Sequence, residues 1–268
     1  MDIGLLQKHF GLMGARLKFA EVPPASRWGQ RRSTGIDIQS DAKGEVFVIN
    51  FDPQQLVEYE VINVRPDLRH LLLLSREDGR KGKFLCGHDE RHWFVCAVPD
   101  GSATNITTAM ESLQPAEVQA VVKLKVKRRK NRLRRRNEAF VRQGEWFFVP
   151  APEVSVDEKR IFKSEPISRG RGSKPHMCQY LYRSNGVQVM VCGKHPSGLS
   201  LKDYNELIEA NPKARNWGWR QMVRDADVYV KGRVWHPDHK TIVLDGWHRV
   251  LMNTEHLAPH SKAVVFLD

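Results

Sequence analysis

The densest group of chemically active side chains in this sequence is a run of cations at residues 123–136. The run holds ten Lys or Arg residues and no Asp or Glu. Each cation that approaches a phosphate releases condensed counterions, and the planar fork of Arg suits two-point contacts with phosphate oxygens. The run predicts a nucleic-acid-binding segment, called the basic segment below, whose cations are Lys123, Lys125, Lys127, Arg128, Arg129, Lys130, Arg132, Arg134, Arg135 and Arg136.

The rest of the chain is almost neutral. The formal net charge of +12 comes from 43 basic and 31 acidic residues, and removing the ten cations of the basic segment leaves +2. Three other interpretations of the segment stay open: a solvated charged face, a nuclear-import signal, and contact with an acidic protein or membrane surface. No base-reading motif accompanies the segment, so recognition of particular bases is not predicted.

A predicted strand at residues 228–235 favours the same function more weakly. Its alternation places one set of side chains on a single face, namely Tyr229, Lys231, Arg233 and Trp235. Rings on which bases stack, interleaved with cations for the backbone, are what single-stranded nucleic acid requires. The alternative is a sheet packed on both faces, with the cations reaching past the rings to solvent.

A loop rich in glycine and serine at residues 168–174 adds three more cations, Arg169, Arg171 and Lys174. A flexible arm of this composition could touch phosphate, and a plain linker is the alternative. The glycines do not have the spacing of a phosphate-binding loop, and the chain has no GxSxG motif. Neither nucleophilic catalysis nor nucleotide hydrolysis is therefore predicted.

Histidines, cysteines and carboxylates gather in two places. One is the stretch at residues 86–92, and the other comprises His236, Asp238, His239 and His248. Neither has the CxxC or HExxH spacing typical of zinc sites, so no metal and no cofactor is predicted. The residues at 236–248 support the main alternative function, a metal-dependent nuclease or related hydrolase.

The elements that carry these side chains suggest an α+β protein. Many short strands with turn punctuation predict a mainly antiparallel sheet domain at 1–114 and a smaller, loop-rich α+β domain at 143–268. Between them, at 115–142, apolar residues recur at helical spacing, which predicts one long basic helix. The stripe comprises Val118, Val122, Val126, Leu133 and Phe140. Residues 122–127 also alternate with period two, so an extended arm is the alternative.

Four cysteines do not make a disulfide scaffold. Two of them are predicted to face each other across a hairpin. With Ser184, Asn185 and Gly186 as a three-residue loop, the antiparallel register puts Cys178 opposite Cys192. We expect reduced thiols packed as small apolar groups.

Together these features predict a non-catalytic nucleic-acid-binding protein, with RNA slightly favoured over DNA, working with other proteins of a nucleoprotein assembly. An adaptor that docks its basic helix on an acidic protein is a further alternative. No apolar run approaches the ~18 residues that cross a bilayer, and the N-terminus does not resemble a secretory signal. We therefore expect no membrane association and a cytoplasmic location, or a nuclear one in a eukaryote.

Overall fold

The computed structural model describes residues 2–22, 35–55, 57–77, 79–169 and 173–258. The chain divides into two compact units. Unit 1 comprises the described residues of Met1–Ala120, Arg128–Leu133 and Asn253–Lys262, and unit 2 those of Val121–Lys127, Arg134–Met252 and Ala263–Asp268. The predicted boundaries at 114 and 142 stay predictions.

Unit 1 is built on two sheets. Its elements are α1 (Ile3–Leu12), β1 (Leu17–Glu21), β2 (Gly35–Asp41), β3 (Gly44–Phe51), β4 (Val57–Arg65), β5 (His70–Glu77), β6 (Arg80–Asp89), β7 (His92–Ala97), α2 (Ile106–Ser112) and the first half of α3 (Ala116–Lys125). The first sheet has the order β1-β3-β2 with β1 parallel to β3, and the second is the antiparallel meander β4-β5-β6-β7. Leu71 and Leu73 of β5 pack with Phe10 of α1, while Leu72 points the opposite way and packs with Ile106 of α2.

Unit 2 carries most of the candidate functional residues. Its elements are β8 (Val141–Gln143), β9 (Trp146–Pro150), β10 (Phe162–Ile167), β11 (His176–Ser184), β12 (Val187–Cys192), β13 (His195–Ser200), α4 (Leu201–Ala210), β14 (Arg220–Arg224), β15 (Asp227–His236) and β16 (His239–Met252). Six strands form one antiparallel sheet in the order β10-β11-β15-β16-β9-β8, and three form a second sheet, β13-β12-β14. Trp146, Phe148 and the valines of β15 form the core of the larger sheet.

The predicted α+β class is wrong. Strands make up 49% of the structure and helical elements 23%, with four sheets and only four short α-helices among the described residues. The part of the chain beyond residue 143 is dominated by eight strands. The protein is therefore mostly β. In the described part of the chain no helix is long and apolar enough to cross a membrane.

The prediction of one long basic helix at 115–142 is also wrong. All residues of this range are described. α3 ends at Lys125, and only one 3₁₀ turn follows, at Arg129–Asn131. Neighbouring like charges three and four residues apart destabilise a helix. In addition, Asn137 Oδ1 accepts hydrogen bonds from the N–H groups of Ala139 and Phe140, which gives the backbone a competing turn. Charge repulsion and this turn explain why the apolar stripe does not continue as a helix.

The predicted hairpin between Cys178 and Cys192 is wrong as well. β11 and β12 belong to different sheets, and Cys178 lies opposite Val234 instead. Asn185 and Gly186 both have positive φ, at 58° and 89°. These two left-handed residues turn the chain from one sheet into the other, where β12 pairs with β14 and β13. Both thiols are buried and free.

Candidate functional site

The cations of the basic segment are mostly on the surface. Eight of the ten are exposed, namely Lys123, Lys125, Lys127, Arg128, Arg129, Lys130, Arg134 and Arg136. None of these eight forms an ion pair with a described residue. Arg136 donates a hydrogen bond to the carbonyl oxygen of Val243 at 3.0 Å, which fixes its position without neutralising it. The segment therefore presents positive charge that the described protein surface does not balance.

The other two cations, Arg132 and Arg135, are half-buried. Burial lowers the pKa of the Arg135 guanidinium to about 10, and the like charge of Arg142 acts in the same direction. The guanidinium remains charged at neutral pH, but in surroundings that disfavour positive charge. An anion bound beside Arg135 and Arg142 would relieve this repulsion.

The remaining predicted contacts fall into two groups. On β15 the alternation is present: Val228, Val230 and Val234 are buried, Lys231 and Arg233 are exposed, and Tyr229 and Trp235 are half-buried. In the loop, Arg169 is exposed, Arg171 lies outside the described residues, and Lys174 is held by Asp238 at 2.8 Å. Lys174 is thus committed to a carboxylate within unit 2.

Three histidines form the most organised polar group in unit 2. His236 and His239 lie opposite each other in the hairpin between β15 and β16. On the other side of β15, Met177 lies opposite Trp235, so the register places His176 opposite His236. His176, His236 and His239, called the histidine cluster below, therefore occupy one row across three paired strands. Their rings are 4.2–5.4 Å apart between centroids, and one nitrogen from each lies within 4.8 Å of the others.

A β-bulge sets this row. The register of β15 against β16 shifts between Val234, which faces Ile242, and His236, which faces His239. With the register of Val234 continued, His236 would face Lys240. The extra residue therefore brings the third imidazole into line.

His176 is the buried member of the cluster. Its side chain is 1% exposed, and neither ring nitrogen makes a hydrogen bond with any described residue. Burial, followed by the nearby His236 and His239, lowers the pKa of His176 to about 3, so the ring is neutral at pH 7. An unsatisfied buried polar group costs about 1–3 kcal/mol. Such a group in a native structure calls for a partner, for example an ion.

The turn between β8 and β9 comes close to the cluster. Gly144, at φ 56°, lies so near that a Cβ atom there would be 2.8 Å from His239 Nε2 and 3.3 Å from His176 Nε2. On the same turn, Gln143 Nε2 donates to the carbonyl of Lys240 at 2.7 Å. Gln143 Oε1 and Trp146 Nε1 are buried and make no hydrogen bond within the described residues. The cluster thus lies against a polar turn that only glycine can form at this distance.

His236 is held at both ring nitrogens. Nδ1 accepts from the N–H of Asp238 at 3.1 Å, and Nε2 contacts the carbonyl oxygen of Lys174 at 3.2 Å. These two contacts identify the neutral form protonated at Nε2. Sequence reasoning had singled out His236 and His239 but missed His176, which lies 60 residues earlier in the chain and has no characteristic spacing. His248, in contrast, is not part of the cluster.

A second group missed in the sequence is a set of three nearly parallel rings. His195, Trp217 and Trp219, called the aromatic platform below, have centroids 5.5–6.2 Å apart and planes inclined by 15–22°. All three are half-buried. Trp219 Nε1 donates to the carbonyl of Ala214 at 2.7 Å, and Lys194 Nζ lies 3.9 Å from the centroid of the Trp217 ring. The local signal was Trp-Gly-Trp at 217–219, close after two cations.

The stretch at residues 86–92 does not form a metal cluster. Cys86 is buried in the apolar core of unit 1, and burial raises the pKa of its thiol well above the usual range. Asp89 and His92 are paired across the tight turn between β6 and β7. Among the described residues, the histidine cluster is the single group with metal-binding spacing.

Comparisons with known proteins give no relative from which a role could be transferred, because no family model, no curated protein and no solved structure matches the chain.

Proposed function

We propose that this protein binds nucleic acid through the basic segment, without catalysis, and that its ligand is single-stranded or structured RNA. The observation that carries the proposal is the set of eight exposed cations with no acidic partner among the described residues. Condensed counterions released from a polyanion supply the free energy for such contacts, and no particular backbone conformation is needed. The irregular chain from Lys127 to Arg136 is compatible with this mode of binding.

The preference for RNA rests on the aromatic side chains of unit 2. Sequence-tolerant binding of single strands combines cations with rings on which unstacked bases lie. The aromatic platform offers such rings, and the exposed cations Lys194, Lys213, Arg215 and Arg220 lie close to it in the chain. The half-buried Tyr229 and Trp235 with the exposed Lys231 and Arg233 offer a second, similar face. The bases of a duplex are already stacked on one another, so duplex binding requires neither of these two aromatic faces.

The test is binding of a fluorescently labelled single-stranded RNA to two variants with equal loss of charge. In the first, Lys127, Arg128, Arg129 and Lys130 are changed to Ala. In the control, four exposed cations of unit 1 outside the segment are changed to Ala, namely Lys8, Lys43, Arg80 and Lys81. We expect the first variant to lose at least about tenfold in affinity and the control to change by less than about threefold.

Equal losses in the two variants would mean that net charge alone attracts RNA, and no binding by the wild type would remove the proposal. A matched single-stranded DNA and a duplex RNA decide the ligand class. Tighter binding of the duplex than of the single strand would contradict the role given to the rings.

A further inference from the structure

The histidine cluster has a property that nucleic-acid binding does not use. Three imidazoles offer one nitrogen each within 4.8 Å of one another, and the buried His176 has no hydrogen-bond partner at either nitrogen among the described residues. We propose that His176, His236 and His239 bind one divalent transition-metal ion, with Zn²⁺ as the preferred ion and one coordination position open to water. This proposal is independent of nucleic-acid binding.

The donor atoms select the class of metal. Neutral imidazole nitrogens suit zinc and its first-row neighbours, whereas Mg²⁺ and Ca²⁺ require oxygen ligands. The carboxylate of Asp238, which lies between His236 and His239 in the sequence, accepts from Lys174 with both oxygens, at 2.8 and 2.9 Å. The ligand set is therefore three nitrogens, a composition that zinc adopts where a fourth position stays open.

The fit requires a small inward movement of the rings. With Zn–N bonds of about 2.0–2.1 Å, tetrahedral geometry puts nitrogens about 3.3 Å apart, compared with separations of up to 4.8 Å here. Side-chain rotations can supply this change, because the three residues already face one another from adjacent strands. The missing side chain of Gly144 leaves space beside the Nε2 atoms of His176 and His239.

The surroundings of His236 supply a further element of a metal site. A ligating histidine commonly donates its second ring N–H to a carbonyl or carboxylate, which fixes the orientation of the ring. His236 contacts the Lys174 carbonyl and the Asp238 N–H, one through each nitrogen. A metal bound at Nδ1 would replace the hydrogen bond from the Asp238 N–H, and Nε2–H would continue to donate to the Lys174 carbonyl and hold the ring.

The three histidines of the cluster differ in solvent exposure, and this difference suits a metal ion with one coordination position open to water. Within the row His176 is buried, whereas His236 and His239 are half-exposed. Solvent therefore reaches one side of the three nitrogens, and a water molecule can complete the tetrahedron.

The experiment is zinc titration of the full chain after treatment with a chelator, followed by metal analysis of the dialysed protein. We expect one zinc per chain in the wild type. His236→Gln and His239→Gln should each weaken zinc binding by at least about a hundredfold. The matched control is His92→Gln, on β7 of unit 1, which should bind zinc like the wild type. Far-UV spectra and thermal melts establish that each variant is folded.

Zinc bound with unchanged affinity by both cluster variants would overturn the proposal, as would a wild type that retains no zinc on dialysis. If a variant does not fold, the site is tested in the wild type alone, by the effect of zinc on the NMR signals of its imidazoles. Zinc must then shift the signals of His176, His236 and His239 and leave that of His92 in place. Shifts of His92 alone, or of none, would contradict the site. RNA binding by the cluster variants should be normal, which separates this result from the test of the basic segment.

Discussion

The histidine cluster lies on three paired strands of one sheet, whereas the basic segment follows the end of a helix, one 3₁₀ turn and irregular chain. The cluster depends on position: its three rings meet because of one register and one bulge. The proposed function of the basic segment depends on charge density, because ten cations in fourteen residues would attract a polyanion in many conformations. Sheet geometry and charge density are thus separate means of building a binding surface, and they should respond differently to perturbation.

The largest expected difference between the two regions is the effect of salt on ligand affinity. A protein that makes six to ten phosphate contacts loses about 10³–10⁵ in affinity between about 50 and 200 mM salt. We expect RNA binding by this chain to fall by about a thousandfold over that range, and zinc binding to change little, because its ligands are neutral. Titrations of both ligands at several salt concentrations give the two slopes. A flat slope for RNA would mean that the exposed cations of the basic segment do not contact phosphate.

A methyl group at Gly144 should act on the histidine cluster alone. Gly144→Ala places a carbon 2.8 Å from His239 Nε2, and we expect a loss of about tenfold to a hundredfold in zinc affinity with unchanged RNA binding. Ala also strains a backbone at φ 56°. The control is therefore Gly44→Ala, at φ 96° with open space around it. If both variants bind zinc alike, the turn between β8 and β9 plays no part in the site.

The smallest effect should come from the aromatic platform. Stacking of a base on an aromatic ring contributes about 1–3 kcal/mol. For Trp219→Ala we expect a loss near the lower end, about 1 kcal/mol or roughly fivefold in affinity for single-stranded RNA, because Trp217 and His195 remain available. Duplex RNA binding and zinc binding should not change. Equal losses for single-stranded and duplex RNA would show that the tryptophan supports the fold of unit 2 instead of holding bases.

The sequence predicted burial and exposure correctly where these depend on the side chains of a single strand or segment. The alternation on β15 is present, with Val228, Val230 and Val234 buried and Lys231 and Arg233 exposed. The exposure of most of the basic segment also follows from its composition, because burying several unpaired cations is too costly. In contrast, the apolar stripe through Leu133 and Phe140 suggested a helix, which charge repulsion and the Asn137 turn prevent.

The remaining errors concern which strands pair. Asn185 and Gly186 suit a hairpin loop as well as the turn between two sheets that they form here. His176 could not be connected with His236 because that contact depends on the pairing of β11 with β15, across some sixty residues of chain. Trp217 and Trp219 gave a local signal, but their alignment with His195 depends on the fold of the smaller sheet.

The β-bulge before His236 bears on how the two regions tolerate changes in length. Removing one residue from β15 between Val234 and His236 would shift His236 by one position, so that it would lie opposite Met177 instead of His176, and the row of imidazoles would be broken although every histidine would remain in the sequence. An insertion or deletion of one residue within 123–136 would leave the charge density almost the same. Descendants of this protein should therefore accept length variation in the basic segment much more readily than in the β15–β16 hairpin. A one-residue gap in this hairpin would mark a related sequence in which the proposed metal site is lost.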